Sequence, residues 1–309
     1  MVAHVTLEFA HPEYLVSTDW LADHLDDPGV VVLDVSTRLT RSLVNTARTE
    51  CFEHSRIPGS RWFDVGSGHG VLSDPAHELP WMWPSADRIE TSLRQCGVDA
   101  GDRIVVAART PRPGIDAGTM WCTRTWWTLH HSGLDVAILH GGLERWEAEG
   151  RPVDTGPSSP IEPGDLTLDR AAVAAGSAAR ASADDVLAAL AESASCVVDA
   201  LPATNFDGAD PGYGPRRGHI SGAVNLPSSS LIDTETAAFV APERLHDRLT
   251  ELGLLDRDRV VTYCGGAIAA TVVAFGLALF AHPHVSVYDG SLMEWSRDDR
   301  LPMTNPSVP

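Results

Sequence analysis

The chain repeats one plan. Val30-Val31-Val32-Leu33-Asp34-Val35 in the first half is matched by Cys196-Val197-Val198-Asp199-Ala200 in the second. Each is a buried-strand pattern that ends near an aspartate and follows a helix-like segment. Arg56-Ile57-Pro58-Gly59-Ser60 has its counterpart in His219-Ile220-Ser221-Gly222-Ala223-Val224-Asn225-Leu226-Pro227. Asp102-Arg103-Ile104-Val105-Val106 pairs with Asp258-Arg259-Val260-Val261-Thr262, and Gly141-Gly142-Leu143-Glu144-Arg145-Trp146 with Gly290-Ser291-Leu292-Met293-Glu294-Trp295. Four landmarks in the same order make a duplicated unit. Short strands alternating with helical runs predict an α/β fold, two like domains, each a parallel sheet flanked by helices. The 309 residues suit two domains of ordinary size. The Pro, Gly and Ser of Arg151 to Gly164 read as a linker. The predicted division is domain 1–152, linker 153–165, domain 166–309.

Local signals agree with this plan. Ser182-Ala183-Asp184-Asp185 resembles a capping box with aspartate in the acidic slot, and Ser17-Thr18-Asp19 suits the start of a first helix.

The two copies differ where chemistry would sit. Cys264 lies five residues after Arg259, whereas the fifth residue after Arg103 is Ala108. Cys264 ends the apolar run Arg259-Val260-Val261-Thr262-Tyr263 and opens Cys-Gly-Gly-Ala-Ile-Ala-Ala ahead of an apolar segment, Thr271 to Phe280. That pattern predicts strand, tight loop, helix, with the thiol at a helix N-terminus where free N–H groups favour an anion. Such a place lowers a thiol's pKa and makes the thiolate a nucleophile. A buried structural cysteine is the other reading, and the motif alone leaves both open. The first copy carries a longer loop at this point, Arg109 to Gly118, and reads as a scaffold.

Composition narrows the partners. A formal net charge of −19, from 42 acids against 23 bases, argues against nucleic acid and anionic membranes. No run reaches the roughly 18 apolar residues of a membrane span. The N-terminus lacks the basic start of a signal peptide. Cys51, Cys96, Cys122, Cys196 and Cys264 are odd in number and scattered, which suits reduced thiols in a cytoplasmic protein. No Cys-x-x-Cys or His-x-x-x-His pair points to a zinc site. Cys264 apart, the cysteines read as core residues. The Trp-rich stretch Trp121 to Trp127 reads as interface packing, and the pairs His130-His131 and His282/His284 as solvated or capping groups near helix ends.

With these motifs in place, the chain resembles the tandem-domain rhodanese family, the thiosulfate and mercaptopyruvate sulfurtransferases, from about Leu15 to Pro302. The resemblance rests on Leu15-Val16-Ser17 with Trp20-Leu21, Val32-Leu33-Asp34, Ile57-Pro58-Gly59-Ser60 and Phe63-Asp64. In the second half it rests on Asp199-Ala200, Gly218-His219-Ile220 through Pro227, Cys264-Gly265-Gly266, and Tyr288-Asp289-Gly290-Ser291 with Glu294-Trp295. It implies a sulfur relay in which the Cys264 thiolate takes sulfane sulfur from a small-molecule donor as a persulfide. A thiol or cyanide acceptor then removes it, with no metal or organic cofactor. The loop Gly265, Gly266, Ala267, Ile268 and Ala269 would curl its N–H groups onto the sulfur, the two glycines accepting positive φ. Thiosulfate is the expected donor, 3-mercaptopyruvate the alternative, and a monomer the expected state.

Departures from the family pattern matter. Ala267 stands where glycine is usual, and strains the loop if its backbone is left-handed. The family's donor-binding arginine is absent, with Leu201 and Asn205 at the sites concerned. Asn205 itself, Arg216 and Arg217 are the candidates for donor binding, the two arginines against a reading as plain surface residues. Arg109, Arg112 and Arg124 are candidates to line the cleft between domains. These losses favour a further alternative, a degenerate sulfur carrier or redox sensor. A phosphatase of similar domain plan is argued against, because no arginine follows Cys264 before Arg297 to compensate phosphoryl charge.

Overall fold

The computed structural model describes residues 7–112 and 118–307. The predicted loop Arg109 to Gly118 therefore falls partly outside the described residues, at 113–117.

The first half runs β1 (Leu15–Val16), α1 (Thr18–His24), β2 (Val30–Asp34), β3 (Arg61–Trp62), α2 (Ala86–Gln95), β4 (Arg103–Ala107), α3 (Gly118–His130), β5 (Val136–Leu139) and α4 (Gly142–Ala148). After α5 (Arg170–Gly176), the second half runs β6 (Arg180–Ala181), α6 (Ala183–Ala191), β7 (Ser195–Asp199), α7 (Ala203–Phe206), β8 (His219–Ile220) and β9 (Val224–Asn225). It finishes with α8 (Pro242–Glu251), β10 (Arg259–Tyr263), α9 (Ala270–Leu279), β11 (Val285–Tyr288), α10 (Ser291–Trp295) and β12 (Met303–Thr304).

Each half forms a five-stranded sheet, in the order β1-β5-β4-β2-β3 and β6-β11-β10-β7-β9. Every pairing within them is parallel. The two orders are the same permutation, so the duplication read from four short motifs extends to topology. β12 and β8 add an antiparallel pair. Central strands are buried on both faces, which is why they are runs of valine, isoleucine and leucine without alternation. The start signals work as read. Ser17 Oγ accepts the Trp20 N–H at 3.0 Å, and Ser182 and Asp185 cap each other reciprocally.

The halves meet through α3 and α9. α9 is buried along nearly its whole length, and α3 from Trp121 to Leu129. Helices buried this fully have no solvent face, and these two lie between the sheets. Trp126 meets Phe275 edge-on at 4.7 Å, and the Thr123 and Thr271 hydroxyls bond at 2.8 Å. The Trp-rich stretch thus packs the interface. The linker region lies along the first domain: Asp154 and Arg56 exchange backbone bonds, and Leu166 and Leu168 are buried.

One expectation is corrected. α3 ends at His130 as anticipated, but His131 is not solvated. It packs on Trp127 at 4.4 Å, and burial pushes its pKa down to about 3. All five cysteines are buried and unpaired, and among the described residues no helix is long and apolar enough to cross a membrane.

Candidate active site

β10 delivers Cys264 to the end of its sheet, where the chain turns through residues 264–269 into α9. Tyr263 pairs with Asp199 across the sheet, as Ala107 pairs with Asp34 in the first domain. The next residues, Cys264 and Ala108, are therefore structural equivalents. Their carbonyls accept equivalent N–H groups, from Leu292 at 3.0 Å and Leu143 at 3.1 Å.

The loop curls as a cradle. The backbone N–H groups of Gly266, Ile268 and Ala270 are directed at the Cys264 sulfur. Ser291 Oγ accepts the N–H groups of Cys264 at 3.2 Å and Ala267 at 3.1 Å, and donates to the Tyr288 carbonyl at 2.8 Å. The Met293 N–H binds the Gly265 carbonyl at 2.9 Å, so the start of α10 is tied to the loop.

The glycines serve a different purpose from the one expected. The left-handed residue is Ala267, at φ 59°, and neither Gly265 nor Gly266 has positive φ. They are needed for their missing side chains. A Cβ on Gly265 would lie 2.2 Å from the Tyr213 ring, and one on Gly266 would lie 3.1 Å from Trp81 and 3.2 Å from the Met293 sulfur. The two aromatic residues cover the loop, and sequence reasoning missed both. No local pattern marks them, because Trp81 comes from the first domain and Tyr213 from a loop 51 residues upstream of Cys264.

The electrostatics also depart from expectation. Cys264 is 2 % exposed, and burial pushes its thiol above the ordinary value. The amides of Ala270, Gly266 and Ile268 pull it back in part, while Asp199 opposes them. A helix N-terminus lowers a thiol's pKa only if desolvation does not outweigh it, and here it does. Burial first, then Cys264 and Asp199, raise the Tyr213 phenol to about 12. Asp199 itself is raised by burial to about 6, although the Leu201 N–H, bound at 2.8 Å, and the Tyr263 phenol favour its anion. Asp34, whose strand neighbour Ala107 leads to Ala108 rather than to a cysteine, is raised to about 6 in the same way and accepts the Ser36 N–H at 2.9 Å. A feature present in both copies belongs to the fold rather than to the reaction.

The other candidate residues separate. Ile268 is buried and Ala269, half-buried, caps α9. Asn205 gives its amide to the Pro211 carbonyl at 3.3 Å, bracing the loop that carries Tyr213. Arg216 gives its guanidinium to the carbonyls of Trp295, Ser296, Asp298 and Leu301 at 2.5–3.0 Å. Its donors hold the C-terminal segment. Arg217 is exposed, and none of its donors is engaged among the described residues.

Among the described residues the first domain lacks the hydroxyl that ties the loop in the second. Gly142, at φ 57°, stands where Ser291 stands at φ 48°, so the capping hydroxyl is missing. Arg109 is turned into its own domain by Glu147, at 2.6 and 2.9 Å. Arg112 reaches the Leu39 carbonyl at 3.5 Å. Arg124 is buried at the interface, paired with Asp289 at 3.1 Å. A cleft of about 530 Å³ lined by His131, Arg180, Arg259 and His284 lies apart from Cys264.

Comparison with known proteins agrees with this geometry. The rhodanese-like domain family matches residues 17–149 and again 182–298. A 3-mercaptopyruvate sulfurtransferase of Rattus norvegicus is 32% identical over 91% of this chain and 91% of its own length. A thiosulfate sulfurtransferase of Gallus gallus is 29% identical over 91% of this chain and 92% of its own length. The crystal structure of SseA, a 3-mercaptopyruvate sulfotransferase from Escherichia coli, superposes with a TM-score of 0.74 at 27% identity, over 90% of this chain and 98% of that one. A duplicated parallel sheet, with Cys264 in one copy where the other has Ala108 and matched twice by one domain family, places this chain in the tandem rhodanese sulfurtransferase family.

Proposed function

We propose that Cys264 takes sulfur from 3-mercaptopyruvate and passes it to a thiol or cyanide, with thiosulfate as a second donor. The observation that carries this reading is the set of three amides directed at the Cys264 sulfur, where a thiolate and then a persulfide anion would rest. The Cys264 thiolate attacks the donor's thiol sulfur. The donor's C–S bond breaks and its electron pair leaves on carbon as the enolate of pyruvate. That enolate takes up the proton released from the donor thiol. The acceptor then attacks the outer sulfur and restores the Cys264 thiolate.

Two considerations reverse the order of donors expected from sequence. Relatives named for 3-mercaptopyruvate include both the rat enzyme and the Escherichia coli structure. Residues 265–269 also carry no charge, which suits a monoanion better than the dianionic thiosulfate in so buried a place. We assign the donor's carboxylate to Arg217, the one of the two arginines whose donors are not already engaged.

The test is the intact mass of the reduced protein after incubation with each donor, with Cys264→Ser as control. Uptake of one sulfur from mercaptopyruvate, lost on adding cyanide and absent in the variant, is the expected result. Uptake from thiosulfate alone would reverse the donor assignment, and uptake by Cys264→Ser would remove Cys264 from the reaction. No uptake from either donor would leave a carrier served by another sulfur source.

A further inference from the structure

The peptide unit joining Ala267 to Ile268 is gripped from both sides. Its N–H is one of the amides directed at the Cys264 sulfur. Its carbonyl, which a trans peptide points the opposite way, meets Arg124 Nη1 at 3.4 Å. Arg124 comes from α3 of the first domain and is 2 % exposed. Its other nitrogen binds the Trp81 carbonyl and Asp289 Oδ1, the latter at 3.1 Å. Asp289 Oδ2 in turn accepts the Trp83 N–H at 2.7 Å and pairs with Arg180 at 3.2 Å. The guanidinium also lies over the Trp83 ring at 5.6 Å. So many partners leave it one position.

The gripped peptide needs such support. Ala267 is left-handed, a conformation that strains a residue with a Cβ, and such a backbone persists where its surroundings over-determine it. A cation on the carbonyl also polarises the amide and strengthens its N–H as a donor.

We propose that Arg124 is a positioning residue for sulfur transfer: through the Ala267 carbonyl, the domain without a nucleophile orients the amide cradle of the domain that has one. The first domain also touches the loop through Trp81 against Gly266, and the helix that follows it through the hydroxyl pair Thr123–Thr271. The inference rests on Cys264 as the reacting thiol, but its test requires no sulfur donor.

The test is the pH profile of Cys264 alkylation by iodoacetamide, followed on the Cys264 peptide by mass spectrometry, in the full chain with folding checked by circular dichroism. Arg124→Gln releases the peptide, so its profile moves about one unit to higher pH, with alkylation about tenfold slower near neutrality and equal to wild type at high pH. Asp289→Asn removes the ion pair but keeps the Ala267 contact, and its profile does not move to higher pH. If Arg124→Gln fails to fold, the double variant with Asp289→Asn, which leaves neither charge unpaired between them, takes its place with the same expected shift. A folded Arg124→Gln or double variant whose profile superimposes on wild type overturns the proposal. So does an equal upward shift in Asp289→Asn, which would show only general loosening. A wild-type chain that alkylates normally but takes up no sulfur from mercaptopyruvate or thiosulfate would instead refute the proposed donors, not the positioning role of Arg124.

Discussion

Ser291 holds Cys264 by its backbone. The Ser291 hydroxyl accepts the Cys264 N–H at 3.2 Å and, at 3.1 Å, the N–H of Ala267 across the curl of the loop. One side chain thus closes the ring of residues around the thiol, and it does so from a left-handed backbone at φ 48°. Ser291→Ala leaves two buried donors without an acceptor and should cost about 2–4 kcal/mol in urea unfolding. Sulfur transfer should fall with it. Ser291→Gly relieves the backbone, so it should recover part of the stability while remaining as slow. Equal activity of Ser291→Gly and wild type would show that the hydroxyl does not hold the cradle.

The Tyr213 ring lies on Gly265, where the loop has no side chain to hold it off. Removing the ring in Tyr213→Ala should make Cys264 several-fold more reactive toward iodoacetamide at a fixed pH, by admitting water to a desolvated thiol. Tyr213→Phe keeps the cover and should react like wild type. Identical rates in all three would mean that another group limits access.

Arg216 and Arg217 are neighbours with opposite expected behaviour. Arg216→Gln strips donors from four carbonyls and should destabilise the chain by about 2–4 kcal/mol while leaving KM for mercaptopyruvate unchanged. Arg217→Gln should change stability by less than about 0.5 kcal/mol and raise KM roughly tenfold. Steady-state kinetics beside urea unfolding separates them, and a raised KM confined to Arg216→Gln would invert the assignment.

Asp34 offers a pH test free of any reaction chemistry. Burial raises its pKa from 3.8 to about 6. A carboxyl whose pKa is raised on folding favours the native state when protonated, so this stability is present below the unfolded value. It is lost as pH climbs through the folded one. Relative to Asp34→Asn, wild type should lose about 3 kcal/mol between about pH 3 and pH 8. A constant difference across that window would mean that Asp34 is not held in a desolvated site.

The parts of this protein legible in the sequence are those written locally. Runs of β-branched residues become the buried strands, and Ser182 with Asp185 makes its cap within four residues. The repeated spacing from Arg103 and Arg259 identifies Cys264 against Ala108, because both copies share one strand register. What lay beyond the sequence is made by contacts between distant segments. Trp81 and Tyr213 over the loop, Arg124 on the Ala267 carbonyl, and Arg216 turned into the C-terminal segment each join residues with no fixed spacing. The thiol's upward shift has the same origin. A helix N-terminus is a local feature and was visible, but the desolvation that outweighs it comes from everything packed around Cys264 in the folded chain.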